Sequence, residues 1–272
     1  MPEVIESTKY RMPLCPYLVV GNRRVLVHLD AFCVAQSLQW PKPGMPDRLG
    51  WRDPLDEWPY WEEMSEDAVR ARIPYFRYRN GSRDYIHEAT GVAADYIEGT
   101  NVLEGQYKLP GGAEVAITTF VPPDTDVWVR RYSIVGDGTL VLQSEFFEKA
   151  VRGHPATYLG DIHFRGAFDA VPRGAYVIMS DSELPATQHG VELDVNGRLT
   201  VTLFMSMAED LRRAADIGAK AIDKGFTKLK EQTVAADRAW LANARPPAAE
   251  HPLITQNYKR WLLSNMLHTA YD

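Results

Sequence analysis

From about Tyr17 to Met205 the pattern of hydrophobic and polar positions is strand-like. The stretch RVLVHLD at 24–30 puts Val25, Val27 and Leu29 on one face and Arg24, Leu26, His28 and Asp30 on the other. A period of two is the signature of a strand with one buried face. With 33–40 close behind, the pair predicts a hairpin. Strands at 75–78 and 83–86 flank Asn80-Gly81, and strands at 101–108 and 113–121 flank Pro110-Gly111-Gly112. Strands at 127–135 and 139–147 flank Gly136-Asp137-Gly138, and strands at 190–195 and 198–205 flank Asn196-Gly197. Asn, Asp and Gly tolerate positive φ, so each cluster predicts a tight turn. Further strands are predicted at 161–170 and 175–180. Many short strands joined by such turns predict a mainly β protein, an antiparallel sandwich followed by helices.

The texture changes at Ser206. Ser206-Met207-Ala208-Glu209 has the S-x-x-E form of a capping box, in which the two side chains satisfy each other's backbone donors. Leu211, Ala215, Gly218, Ile222, Phe226 and Leu229 then recur at helical steps, with Arg212, Asp216, Lys220, Lys224 and Lys228 between them. This predicts one long amphipathic helix, or two with a break near Gly225. A proline-punctuated linker covers 244–252, and a last helix is predicted to start near Pro252, which suits a first-turn position. Trp261, Leu262, Leu263, Met266 and Leu267 cover nearly every side of that helix, so it needs a surface to bury it. It either packs back on the sandwich or opens a further domain. The chain thus divides into a sandwich at 1–205, a linker region at 206–251 and a last helix at 252–272.

Composition narrows the function classes. A chain of 272 residues suits one large domain or two small ones. Lys and Arg number 30 against 36 Asp and Glu, a net charge of −6, which argues against a nucleic-acid partner because phosphates demand a basic face. No apolar run is long enough to span a bilayer. Residues 1–12 are polar with mixed charges and do not read as a secretory leader. Cys15 and Cys33 make neither a disulfide framework nor a zinc site, so reduced thiols in a cytoplasmic protein are expected.

Four stretches, taken in order, carry a resemblance. Gly21-Asn22 with Val25–Asp30 and the run Leu38-Gln39-Trp40-Pro41-Lys42-Pro43-Gly44-Met45-Pro46 is one. Tyr96-Ile97-Glu98-Gly99-Thr100-Asn101-Val102-Leu103-Glu104 is the second. The third is 113–122 followed by 127–132, and the fourth is Tyr258-Lys259-Arg260-Trp261-Leu262-Leu263. They are similar to the W-P-x-x-G-x-P loop, the G-T-N-V-L-E-T strand, the E-V-x-I-T-D-F and D-V-x-V-R-R strand pair, and the Y-K-R-S-L-L helix of the bacterial and archaeal glucoamylases, glycoside hydrolase family 15. The resemblance implies a β-supersandwich, then linker helices, then an (α/α)6 barrel of which 252–272 is the first helix, with Tyr258, Lys259 and Arg260 as its starting motif. It also implies inverting hydrolysis of α-glucans or α-glucosides by two glutamates on that barrel. Both lie beyond the Y-K-R-S-L-L-type helix, so no catalytic residue carries over to this sequence. Three positions depart from the pattern: Gly105 stands in place of Thr, Thr119 in place of Asp, and Trp261 in place of Ser.

The remaining candidates are weaker. Trp51, Trp58, Tyr60 and Trp61, with Arg52, Asp53, Asp56 and Glu57, lie in a loop at 41–67. Aromatic rings stack on sugar faces and carboxylates bind hydroxyls, so these four rings are candidate carbohydrate contacts; an end cap on the sandwich or a partner interface is the plainer reading. Glu145, Glu148 and Asp161 are not brought together by spacing, and Asp161 with His163 is too few ligands for a metal. No metal or cofactor is expected. Ser180 and Ser182 lack a nucleophile elbow. Lys220, Lys224 and Lys228 read as a solvated helix face. The expected partners are a catalytic barrel or another chain at 252–272 and an α-glucan or oligosaccharide, with no nucleic acid and no membrane. The alternative reading is a stand-alone carbohydrate-binding or partner-binding sandwich.

Overall fold

The computed structural model describes residues 18–42, 74–142, 151–154, 157–162, 174–182, 186–187, 190–244 and 252–268. β1 (Leu18–Gly21), β2 (Leu26–Leu29) and β3 (Ala35–Gln39) form a three-stranded antiparallel sheet. A second, 11-stranded sheet is built from β4 (Tyr75–Tyr78), β5 (Arg83–Tyr85), β6 (Thr90–Tyr96), β7 (Leu103–Lys108), β8 (Glu114–Phe120), β9 (Val127–Leu142), β10 (Val151–His154), β11 (Thr157–Ile162), β12 (Gly174–Ser180), β13 (Ala186–Thr187) and β14 (Gly190–Ala208). Its main path runs β10-β11-β12-β14-β9-β8-β7-β6, with β4 also on β9. Three helices follow: α1 (Leu211–Lys224), α2 (Phe226–Ala242) and α3 (Pro252–His268).

Alternation along each strand sorts side chains between two faces. In β7 the odd residues Leu103, Gly105 and Tyr107 are buried while Glu104, Gln106 and Lys108 are exposed. Leu103, Tyr107, Val115, Ile117, Tyr132, Ile134, Leu203 and Met205 on one face of the large sheet meet Val20, Val27, Leu29, Leu38 and Trp40 of the small sheet in a shared core. The opposite face carries Val102, Phe120, Val127, Val129 and Phe204, and packs against Ala221, Phe226 and Leu229 of α1 and α2. The order of layers is therefore small sheet, large sheet, then α1 and α2, while α3 packs against the small sheet through Leu267.

The expected antiparallel sandwich followed by helices is what forms, but several local readings need correction. The pairs predicted around Gly136-Asp137-Gly138 and Asn196-Gly197 are not hairpins. β9 and β14 run straight through both sites, and Asp137 lies opposite Asn196 with Gly136 opposite Gly197. Gly136 and Gly138 serve close approach instead: a Cβ on Gly138 would sit 2.3 Å from the Arg77 carbonyl oxygen of β4, whereas Gly197 faces open space and supplies a positive φ of 76° inside β14. The S-x-x-E box does not cap a helix either. β14 continues to Ala208, and Asp210 caps α1 by accepting from the Arg213 amide. Ser206 Oγ donates to the Ala214 carbonyl at 2.7 Å and ties the helix to the sheet. The break at Gly225 is real, with φ at 77° between α1 and α2. Of the strand expected at 161–170, Asp161 and Ile162 end β11, which pairs β12 with Thr157 opposite Met179, and 163–170 lie outside the described residues.

Two departures from the family pattern have a packing reason. Gly105 faces the small sheet, where an added Cβ would meet Cys33 Sγ at 2.5 Å; a threonine there would overlap the thiol. Thr119 is fully buried and its Oγ1 accepts from Trp128 Nε1 at 2.8 Å, so a short hydroxyl supplies the one acceptor that buried indole requires.

Gly105→Ala is therefore expected to destabilise the protein by about 1–3 kcal/mol through overpacking. Cys33→Ala should relieve that overlap, because the remaining Cβ stands 3.8 Å away. Urea unfolding of both single variants and the double variant measures the coupling; additive losses would show that the two positions do not touch.

Candidate functional site

Two of the stretches that carry the family resemblance meet in space. The first is the turn at 97–102 between β6 and β7. The Ile97 amide donates to the Val102 carbonyl at 2.9 Å and the Thr100 amide to the Ile97 carbonyl at 3.0 Å. Thr100 Oγ1 donates to the Ile97 carbonyl at 2.8 Å and accepts from the Val102 amide at 3.1 Å. Gly99 supplies the left-handed residue that closes the turn, with φ at 70°. Thr100 and Asn101 are 1% exposed, so the second half of the turn is buried while Glu98 remains exposed.

The second is α3. Arg260 donates from Nη1 to the Thr100 carbonyl at 2.9 Å and from Nη2 to Asn101 Oδ1 at 2.9 Å. Its guanidinium carbon lies 3.5 Å from the centroid of the Tyr96 ring. A planar fork reaching two acceptors while stacking on an aromatic face is a task for arginine rather than lysine. Tyr96 in turn reaches β1: its hydroxyl donates to the Val19 carbonyl at 3.0 Å and accepts from the Val19 amide at 2.6 Å.

A third group completes the junction from α2. Asp237 accepts from the Asn101 amide at 2.7 Å and from Asn101 Nδ2 at 3.4 Å. Burial pushes the Asp237 carboxyl up to about 6, against the pull of the Asn101 hydrogen bonds and of Arg260. Burial also lowers Arg260 from the usual arginine range, opposed by Tyr96 and Asp237. Nothing in the sequence singles out Asp237, since an Asp in the run A-A-D-R-A-W looks like any solvated helix position.

Of the predicted barrel-start residues, Arg260 alone reaches this turn. Tyr258 and Lys259 are half-buried. Tyr258 stacks on Trp261 with ring centroids 6.1 Å apart. Of the two expectations for α3, packing back on the sandwich is seen along one of its sides. Leu263 and Leu267 are buried, the latter against Val19 and Leu26, but Ile254 and Trp261 are 54% and 58% exposed. The helix packs back on the sandwich along one side and leaves an apolar side open.

The other candidates separate cleanly. Trp51, Trp58, Tyr60 and Trp61 lie outside the described residues, as do Glu145, Glu148 and His163. Cys33 is buried and its thiol is pushed up to about 12 by that burial, which leaves no thiolate to react. Ser180 Oγ accepts from the Ser182 amide in a local turn. Lys220 and Lys224 border a groove of about 580 Å³ floored by Ile217, Ala221 and Leu229 and rimmed by Asp124, Asp126 and Arg213. It has no aromatic wall on which a sugar would stack. Among the described residues no three His, Cys, Asp or Glu side chains are grouped to hold a metal ion, and no helix is long and apolar enough to cross a membrane. The junction holds chain segments in place; it presents no nucleophile and no opposed carboxylates.

No family profile matches the chain, and no curated protein sequence does. Solved structures do. A bacterial glucoamylase complexed with acarbose superposes with a TM-score of 0.56 at 6% identity, over 84% of this chain and 37% of that one. A putative kojibiose phosphorylase from the human microbiome superposes with a TM-score of 0.52 at 10% identity, over 92% of this chain and 36% of that one. The fold is therefore shared with part of a glucoamylase and part of a putative phosphorylase, and the chain spans a little over a third of the length of each.

Two outcomes follow for the junction. Arg260→Ala leaves the Thr100 carbonyl and Asn101 Oδ1 without their donors and should cost about 1–3 kcal/mol in urea unfolding, with Arg260→Lys recovering only part because one ammonium cannot span both acceptors. Asp237 has its folded-state pKa raised, so its contribution is fully present below the ordinary carboxylate value of 3.8 and is lost as pH rises through about 6. The stability difference between wild type and Asp237→Asn should therefore change by up to about 3 kcal/mol across that window, in favour of wild type at the acid end. A difference that is flat with pH would show that Asp237 titrates normally.

Proposed function

We propose that this chain is the amino-terminal, non-catalytic region of a glucoamylase-like glycoside hydrolase of family 15, working on α-glucans or α-glucosides. In this reading the sandwich and its helices brace an (α/α)6 barrel whose first helix is α3. Hydrolysis with inversion belongs to two carboxylates on that barrel, one protonating the leaving oxygen and one activating water. The loop with Trp51, Trp58, Tyr60 and Trp61 contributes a rim to the sugar site. Free Cys33 fits a cytoplasmic setting.

The observation that carries the reading is the Arg260 fork on Thr100 and Asn101. It joins the two most family-like stretches of the sequence and fixes the direction in which α3 leaves the sandwich. Ile254 and Trp261 on the open side of α3 are then the residues that the rest of a barrel covers.

The test is product chemistry. The 272-residue chain alone should release no glucose from maltose, isomaltose or starch. The product of the coding sequence read beyond residue 272 should release β-glucose from an α-linked substrate, followed by proton NMR before mutarotation. Release of a sugar phosphate that requires inorganic phosphate would replace hydrolysis with phosphorolysis. Glucose release by the isolated chain at enzyme-like rates would overturn the non-catalytic assignment.

A further inference from the structure

Asn80-Gly81 forms the tip of the β4–β5 hairpin. The Gly81 amide donates to the Tyr78 carbonyl at 3.0 Å and the Tyr78 amide to the Ser82 carbonyl at 2.9 Å. Gly81 has φ at 88°, while Asn80 is not among the positive-φ residues, so the loop is a turn followed by one left-handed glycine. Both residues are exposed. Asn80 Oδ1 accepts two hydrogen bonds, from the Ser82 amide at 3.0 Å and from Ser82 Oγ at 2.7 Å. A backbone N–H only donates, so the atom it meets is the carbonyl oxygen of the Asn80 side chain and not its nitrogen. The same dipeptide recurs as Asn196-Gly197, equally exposed, but there it lies inside β14 with the ladder to β9 continuous on both sides.

We infer that Asn80 is a site of spontaneous deamidation assisted by its own turn, and that Asn196 is protected from it. In the reaction the Gly81 N–H first leaves its hydrogen bond to the Tyr78 carbonyl; the amide nitrogen then gives its proton to solvent base and attacks Asn80 Cγ, forming a C–N bond. The carbonyl electrons move onto Oδ1, where the Ser82 N–H and O–H stabilise the developing charge as a small oxyanion hole does. Collapse breaks the Cγ–Nδ2 bond, and ammonia leaves after taking a proton from water. Water then opens the succinimide at one of its two carbonyls, giving aspartate or isoaspartate. Glycine at 81 leaves the attacking nitrogen uncrowded, and no atom lies within 4 Å of the place a Cβ would occupy. At Asn196 the same ring closure has to rotate the backbone out of its pairing with Asp137 and Gly136, and no comparable pair of donors is in place before the attack.

The test is peptide mapping of the whole chain after incubation in mildly alkaline buffer, with enzymatic methylation to count isoaspartate. In the folded chain the Asn80 peptide should convert at least about tenfold faster than the Asn196 peptide, and the two rates should converge in denaturant, where the turn and the ladder are both lost. Ser82→Ala keeps the amide donor and removes the hydroxyl; it should slow Asn80 by about threefold or more and leave Asn196 unchanged. The Asn196 rate also reports whether the variant remains folded. Equal rates at the two sites in the folded chain would overturn the inference. So would an Asn80 rate indifferent to Ser82→Ala.

Discussion

A turn that enters a protein interior brings its backbone polar groups with it, and each must find a partner or carry a desolvation cost. The turn at 97–102 does this between β6 and β7, and its own hydrogen bonds satisfy Ile97, Thr100 and Val102. The Asn101 amide and the Thr100 carbonyl remain. Asp237 from α2 takes the first and Arg260 from α3 takes the second. Two helices distant in sequence from the turn, α2 on the large sheet and α3 against β1 and β2 of the small one, are thus tied together by the unmet needs of a six-residue turn. Tyr96 extends the same arrangement to the edge of the small sheet through Val19.

The charges in this junction are used as hydrogen-bonding groups rather than as an ion pair. Arg260 donates to neutral oxygens and lies over an aromatic face; Asp237 accepts from neutral nitrogens. Burial works against both charges, lowering the arginine and raising the carboxyl, so desolvation offsets part of what their hydrogen bonds contribute. What this arrangement secures is direction. α3 packs against β1 and β2 through Leu267 and Met266 and presents Ile254 and Trp261 outward.

Much of the sheet is legible because alternation is a tertiary signal written locally: β7 reads buried and exposed in strict turn. The start of α3 at Pro252 and the break at Gly225 are legible for the same kind of reason, since proline and glycine constrain the backbone wherever they sit. The long ribbon of β9 and β14 is not. Gly-Asp-Gly permits a turn but equally permits close passage of a neighbouring strand, here β4 over Gly138, and Asn-Gly is equally compatible with the uninterrupted ladder that β9 imposes on β14. Ser206 is misread because a hydroxyl can cap a helix from its own first turn or from a strand beneath it. Of the junction, Arg260 and the turn are visible as motifs, whereas Asp237 becomes functional only through a contact 136 residues away in sequence.

The most direct measurement of the central claim is residue-resolved hydrogen exchange on the intact chain. If the turn holds the helices as described, the Asn101 amide and the amides along the buried side of α3 exchange with one common protection, close to that of β7 and β8, and Arg260→Ala lowers all of them together. If instead α3 exchanges freely while Asn101 stays as protected as the sheet, the helix is not held by the turn and the account fails.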